Sequence, residues 1–266
     1  MTLTCFASAK GAPGVTLTAL GFAAARAAAG TPTLLLEADP SGGSLAIRYQ
    51  LGRQPGLITL AAGSRHGLNR NEITAHAQEL PGGLAAIVAP ERHDRIAAIL
   101  QADGGRLGRF LADLPDLHVV ADCGRLDTET LATGLPSQAD VLYLLARPVA
   151  EDVQPAAALA STARDQGVAV GWVLIGDRPH DPAEVAEVTG TPVAAVLPDD
   201  HRAATAMAEG RAEGRGRRSR LARAICAFAT ETAPLASAAE GEQPPAAVEP
   251  AAEHSKPLAE LVTEVG

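Results

Sequence analysis

Short apolar runs alternate with longer stretches of helical periodicity along most of this chain, and that alternation limits what it can fold into. Leu3 to Ala7 opens the series. Thr33 to Ala38 (TLLLEA), Leu84 to Val88, Leu117 to Ala121, Val141 to Ala146, Val168 to Ile175 and Val193 to Leu197 continue it. These runs are apolar on consecutive residues rather than on alternate ones. That pattern suits strands covered on both faces, as in a parallel sheet. Between them lie segments with apolar residues three and four apart, such as Thr16 to Ala29, where Leu17, Leu20, Ala24 and Ala28 share a face. Further helices are expected over Arg92–Ala102, Arg106–Asp113, Val153–Gln166, Pro182–Thr189, from Arg202 towards Gly210, and over Arg217–Thr230. The expectation is an α/β fold, a mostly parallel, doubly wound sheet flanked by helices. Ligands of such sheets sit at the carboxyl ends of the strands.

Composition narrows the classes. Only 3% of the 266 residues are aromatic, so the core is built from aliphatic residues and Ala. Aromatic stacking platforms for nucleic acid are excluded on the same count. The net charge of −9 excludes generalised electrostatic binding to nucleic acid but not a local patch. Cys5, Cys123 and Cys226 have no metal-type or disulfide-framework spacing, and the seven histidines are scattered without metal spacing. No apolar run reaches the roughly 18 residues of a spanning helix. Met1 to Phe6 runs straight into a glycine loop, so no secretory leader and a cytoplasmic location are expected. Residues 231–266 carry seven Glu and one Lys among Ala and Pro. The expected organisation is a folded domain over 1–232 and a disordered acidic tail over 233–266.

The chemistry is expected in the first strand–helix connection, Ser8-Ala9-Lys10-Gly11-Ala12-Pro13-Gly14-Val15-Thr16-Leu17. A glycine loop entering a helix presents backbone N–H groups and a positive dipole end to an anion. Thr16 there can cap the helix or coordinate a phosphate-bound Mg²⁺. The loop resembles that of the MinD/ParA family of P-loop ATPases, K-G-G-x-G-K-[TS], with Lys10 as its early signature lysine. Leu34 to Leu45 resembles the family's second-strand motif, D-x-D-P-x-G, with Glu37 for the first Asp and Asp39 as the second. Val119-Val120-Ala121-Asp122-Cys123-Gly124 resembles the Walker B strand, with Asp122 in the acidic position. Val193 to Asp199 resembles the late strand ending I-P-x-D. The resemblance is collinear over about residues 1–230.

The resemblance implies ATP and Mg²⁺ as cofactors, held by Gly11, Ala12, Pro13, Gly14, Val15, Thr16 and Leu17. It implies Thr16 and Asp122 as metal residues, and Lys10, Asp39 and Asp122 as catalytic ones. It also implies a homodimer in which Lys10 reaches the partner's nucleotide. Four departures bear on function, and one is Ala12 in place of a glycine, which restricts the loop's approach. Val15 stands where the family's second lysine contacts the β- and γ-phosphates. Pro13 removes an N–H from the anion nest. Gly176-Asp177 takes the place of an adenine-binding Asn. Loss of the loop lysine resembles the CpaE/TadZ-like branch, localisation factors of pilus or secretion machinery.

The implied function is a degenerate spatial organiser or adaptor, recruited to membrane, cell pole or nucleoid. It would dock protein partners of a polar, secretion or division apparatus, with ATP binding weak or lost. The alternative is an active ATP-dependent dimerisation switch in which Lys10 replaces the missing lysine. Structural readings also stand: Lys10 as a solvated loop residue, Thr16 as a helix cap, Asp39 as a turn residue, Asp122 as a loop cap. The basic cluster Arg211, Arg215, Arg217, Arg218, Arg220 and Arg223 is either a DNA or anionic-membrane contact or a solvated face.

Overall fold

The computed structural model describes residues 3–11, 14–64, 67–209 and 219–231. Strand β1 (Leu3–Ser8) is buried at all six positions. It lies between β5 (His118–Arg125) and β6 (Val141–Ala146), parallel to both. The other strands are β2 (Thr33–Glu37), β3 (Gln78–Glu79), β4 (Ala85–Ile87), β7 (Ala169–Ile175) and β8 (Val193–Leu197). The sheet order is β3-β4-β2-β5-β1-β6-β7-β8. Every pairing is parallel except that of β3 with β4. The chain leaves β1 for one half of the sheet and returns through β5 to begin the other half at β6. The crevice at this reversal opens at the carboxyl end of β1, where such sheets hold their ligands.

Alternate residues of the strands feed two separate apolar layers. Leu3, Cys5 and Ala7 of β1, with Leu34 and Leu36 of β2, face the layer covered by α3 (Leu57–Gly63), α5 (His93–Ala112), α7 (Ala150–Asp165) and α8 (Pro182–Thr189). Phe6 and Leu35 face the opposite layer, under α1 (Val15–Ala28), α2 (Leu45–Arg48), α9 (His201–Ala208) and α10 (Arg220–Glu231). Burial on both faces is the reason the strand sequences are apolar without alternation. The few aromatics are concentrated here. Phe6, Phe22, Tyr143 and Phe228 form one ring cluster, with Phe22–Phe228 centroids 5.1 Å apart and Tyr143–Phe228 4.9 Å apart. That cluster fastens α10 onto α1 and both onto the sheet.

Two expectations are corrected. Arg92–Ala102 and Arg106–Asp113 are one continuous helix, α5. The Gly104-Gly105 pair, which lies in the gap between the two expected helices, permits a close crossing. A Cβ on Gly105 would lie 2.9 Å from the Thr133 carbonyl oxygen, and one on Gly108 would lie 2.8 Å from that of Leu135. The strand expected to end at Asp122 runs on to Arg125. Its register against β1 shifts between Phe6 and Ser8, which pair with Asp122 and Arg125. This bulge, with Gly124 at φ +56°, brings the strand end against the first loop. Finally, α2, α3, α4 (Arg70–Ala75), β3 and α6 (Thr128–Thr133) were not legible as elements. The segment 233–266 and the arginines at 211, 215, 217 and 218 lie outside the described residues. Arg220 and Arg223 are exposed on α10.

Candidate nucleotide site

The first loop leaves β1 at Ser8, and α1 begins at Val15. Gly11 and Gly14 both have left-handed backbones, φ +74° and +110°, which glycine adopts without strain. Gly14 is the N-cap residue, and its carbonyl accepts the first helical hydrogen bond from Thr18 at 2.7 Å. Thr16 is therefore not the helix cap. Its hydroxyl instead bonds the carboxyl group of Asp122. Ala12 and Pro13 lie outside the described residues.

Asp122 is 2% exposed. Burial pushes its carboxyl up to about 7, and the negative neighbours Asp39 and Glu37 add to the rise. The Thr16 hydroxyl and the Gly124 N–H, 3.2 Å from Oδ1, oppose it. Asp39 lies across Gly124: a Cβ on that glycine would come within 2.0 Å of the Asp39 Cγ. Its Oδ1 accepts the Ser41 N–H at 2.8 Å, so Asp39 is both a turn residue and a wall of the site.

A cavity of about 590 Å³ opens over these groups. Lys10, Gly11, Gly14, Val15, Thr16, Leu17 and Asp39 all line it, while Asp122 stands behind Thr16. The expected residues that are described thus converge on one place. Val15 is 5% exposed and packs into the α1-side apolar layer, so an aliphatic wall stands where the resemblance puts an ammonium group. Two cations that were not read as site residues line the same cavity, Arg48 at the end of α2 and Arg125 at the end of β5. Arg125 falls three residues after Asp122, and a longer reading of β5 would have located it. No local pattern marks Arg48.

Glu37 takes a different role from the one its motif position suggests. Its Oε1 accepts from the N–H groups of Ser44 (2.5 Å) and Leu45 (2.9 Å), and its Oε2 from that of Ala89 (2.9 Å). The carboxylate holds the start of α2 against the segment that follows β4, and Glu37 does not line the cavity. Gly43 permits this approach, since a Cβ there would lie 2.6 Å from Oε2 and 2.4 Å from the Ala89 oxygen.

Three cations facing one carboxylate make the cavity a place for an anion. Helix α9 forms its far side through Ala204, Thr205 and Ala208. A smaller, mostly apolar cavity of about 70 Å³ adjoins it. Leu17, Ile175, Leu197, Pro198 and Leu221 line that space at the ends of β7 and β8, and Gly14, Leu17 and Ala204 are common to both. Among the described residues no cluster of His, Cys, Asp or Glu holds a metal by itself. The Thr16–Asp122 pair fits Mg²⁺ only when phosphate oxygens complete its shell. No described helix is long and apolar enough to cross a membrane.

No protein-family model matches the chain, and no curated protein matches it by sequence. Solved structures do match. The cell division ATPase MinD of Pyrococcus furiosus superposes with a TM-score of 0.70 at 18% identity, over 87% of this chain and 98% of the other. A ParA family ATPase from Chlorobium tepidum gives 0.70 at 17%, over 87% and 99%. This chain has the MinD/ParA fold. The septum site-determining protein MinD of Pyrococcus horikoshii, solved with Mg-ADP, gives 0.69 at 16%, over 86% and 94%. At these identities the likeness to MinD and ParA concerns the fold.

Proposed function

We propose that the protein is a MinD/ParA-like spatial organiser that holds a nucleotide weakly, hydrolyses it little, and works through dimerisation and partner docking. The observation that carries this reading is Val15. An aliphatic side chain fills the loop position from which a lysine would reach the phosphates, and it is packed into the core rather than turned aside. A charged hydrogen bond of that kind is worth roughly 1.5–3 kcal/mol. Its loss weakens phosphate binding by about ten- to a hundredfold. The same group would stabilise charge developing during phosphoryl transfer, so turnover falls further than affinity.

The retained parts fit a bound Mg-nucleotide, which would bring its own cation to the Thr16–Asp122 pair. Thr16 offers a hydroxyl, Asp122 orients it, and Asp39 stands across the cavity where it can direct a water. The apolar annex beside Leu17 and Leu197 suits the flat face of a base. The loss of the loop lysine favours a place near the CpaE/TadZ-like localisation factors. Partners of a polar, secretion or division apparatus are then the expected docking targets. In this reading residues 233–266 form an acidic tail beyond a domain ending near 232. The basic stretch Arg211–Arg223 is available for DNA or an anionic membrane surface, to which the protein would be recruited from the cytoplasm.

A second reading has one observation in its favour. Lys10 lines the same cavity and can supply the missing charge, which would make the protein an active ATP-dependent switch. Val15→Lys separates the two. The organiser reading expects ATP hydrolysis to rise at least tenfold over a wild type with little activity. A wild type that already turns over ATP steadily, with no gain in Val15→Lys, would establish the switch instead.

A further inference from the structure

We propose that Arg48 supplies part of the phosphate-binding charge that the first loop has lost, with Arg125 beside it, so that the weak binding that remains is to a diphosphate site built on guanidinium groups. This rests on the reading that the cavity receives a nucleotide, and it adds which residues grip it.

Arg48 is placed by a short helix. It is the last residue of α2, a helix of only four residues. Such a short helix has no stability of its own. Two anchors fix it. Glu37 accepts the Ser44 and Leu45 N–H groups at its start, and Leu45 and Ala46 are 0% and 5% exposed in the α1-side layer. The stem of Arg48 therefore has a rigid origin at the wall of the cavity that Lys10 and Thr16 also line.

Its head group is the second observation. Nη1 of Arg48 is buried and has no hydrogen-bond acceptor. The guanidinium bonds the phenol of Tyr49 on one side, and among the described residues no carboxylate pairs with it. Buried polar groups are nearly always satisfied, so an unpaired guanidinium nitrogen in a residue that lines the cavity leaves a charge the described chain does not neutralise. An anionic oxygen would neutralise it. A guanidinium also offers two parallel donors, which suits the oxygens of a phosphate better than an ammonium does.

Arg125 approaches from the neighbouring strand. Its side chain passes over the loop, with Cδ 3.9 Å from where a Cβ on Gly11 would lie. The β5 bulge carries it there. Two arginines thus reach the cavity from β5 and from α2, and neither depends on the loop's own lysine.

The test is calorimetry on the full chain with Mg²⁺, using ADP and inorganic pyrophosphate as separate probes. Arg48→Ala should weaken ADP binding at least tenfold, and Arg48→Lys should recover part of the loss. Arg95→Ala, which removes an exposed arginine on α5, should leave binding unchanged. Thermal unfolding without ligand should show Arg48→Ala as stable as wild type, because the orphaned donor is gone. Binding of both probes assigns a site satisfied by diphosphate alone. Binding of ADP without pyrophosphate assigns one that needs the nucleoside too. Equal ADP affinity in wild type and Arg48→Ala overturns the role of Arg48 and leaves nucleotide binding standing. No binding of either probe to wild type at millimolar concentration overturns the role of Arg48 together with nucleotide occupancy, and leaves only docking to partners.

Discussion

Replacing Asp122 by Asn tests the electrostatics beneath the cavity without touching its walls. The side chain keeps its shape and can still accept the Gly124 N–H and meet the Thr16 hydroxyl. In the folded protein the Asp122 carboxyl is pushed from 3.8 up to about 7. When the chain unfolds it returns to the ordinary value. Below pH 3.8 both states are protonated and the group contributes nothing. Between 3.8 and 7 the unfolded state ionises and the folded state does not, so stability falls as pH rises. Above 7 the folded protein carries the whole cost of a buried charge beside Asp39 and Glu37. At ~1.4 kcal/mol per pH unit this cost is about 4 kcal/mol above pH 7 and under about 2 kcal/mol at pH 5. Asp122→Asn removes it. In EDTA, the variant should gain about 2.5 kcal/mol on wild type between pH 5 and pH 8, or roughly 5–10 °C in melting temperature for a domain of this size. His118, held down to about 4 by burial, titrates with the opposite sign, but it is present in both proteins and cancels in the comparison. Denaturant melts at the two pH values read the difference. Parallel stability curves would refute the burial of charge at Asp122 and the mutual repulsion of the three acids.

Two further outcomes follow from the same geometry. Glu37→Gln replaces one acceptor oxygen with a donor facing N–H groups that have no other partner. It should destabilise the fold by roughly 2–4 kcal/mol in a urea titration, and it should weaken ADP binding because α2 no longer holds Arg48 in place. Gly124→Ala forces Asp39 aside, since its Cβ would overlap that carboxyl group. Any ATP hydrolysis regained in Val15→Lys should then be lost in the double variant, with the fold retained by circular dichroism.

The parts of the fold that were legible are those where several local signals agree. Helix α8 has the bounds expected for it, because Asp181 caps it and Pro182 opens it. The β6 run is read without error because both its faces are buried. Helix α4 carries a local capping box of Asn69 with Glu72 but only six residues, while α2 and α3, four and seven residues long, are held by long-range contacts rather than by a periodic apolar face. The Glu37 bonds to Ser44 and Ala89 are an instance. The two halves of α5 join because Gly105 and Gly108 permit a close crossing at Thr133 and Leu135, a contact that only the folded chain shows. At the site, Lys10, Thr16, Asp39 and Asp122 were legible because they stand in a recognisable order. The depth of Asp122 was not, since it depends on β5 running past it. Arg48 was not legible because only the folded α2 carries it to the cavity.

The most direct test of the account is a titration of wild-type protein with MgATP by calorimetry, with the molar mass followed by light scattering in the same buffer and repeated on Lys10→Ala. The organiser reading predicts weak binding, near-millimolar rather than micromolar, a dimer whose formation ATP assists, and almost no phosphate release. Micromolar binding with steady hydrolysis, both lost in Lys10→Ala, would contradict it.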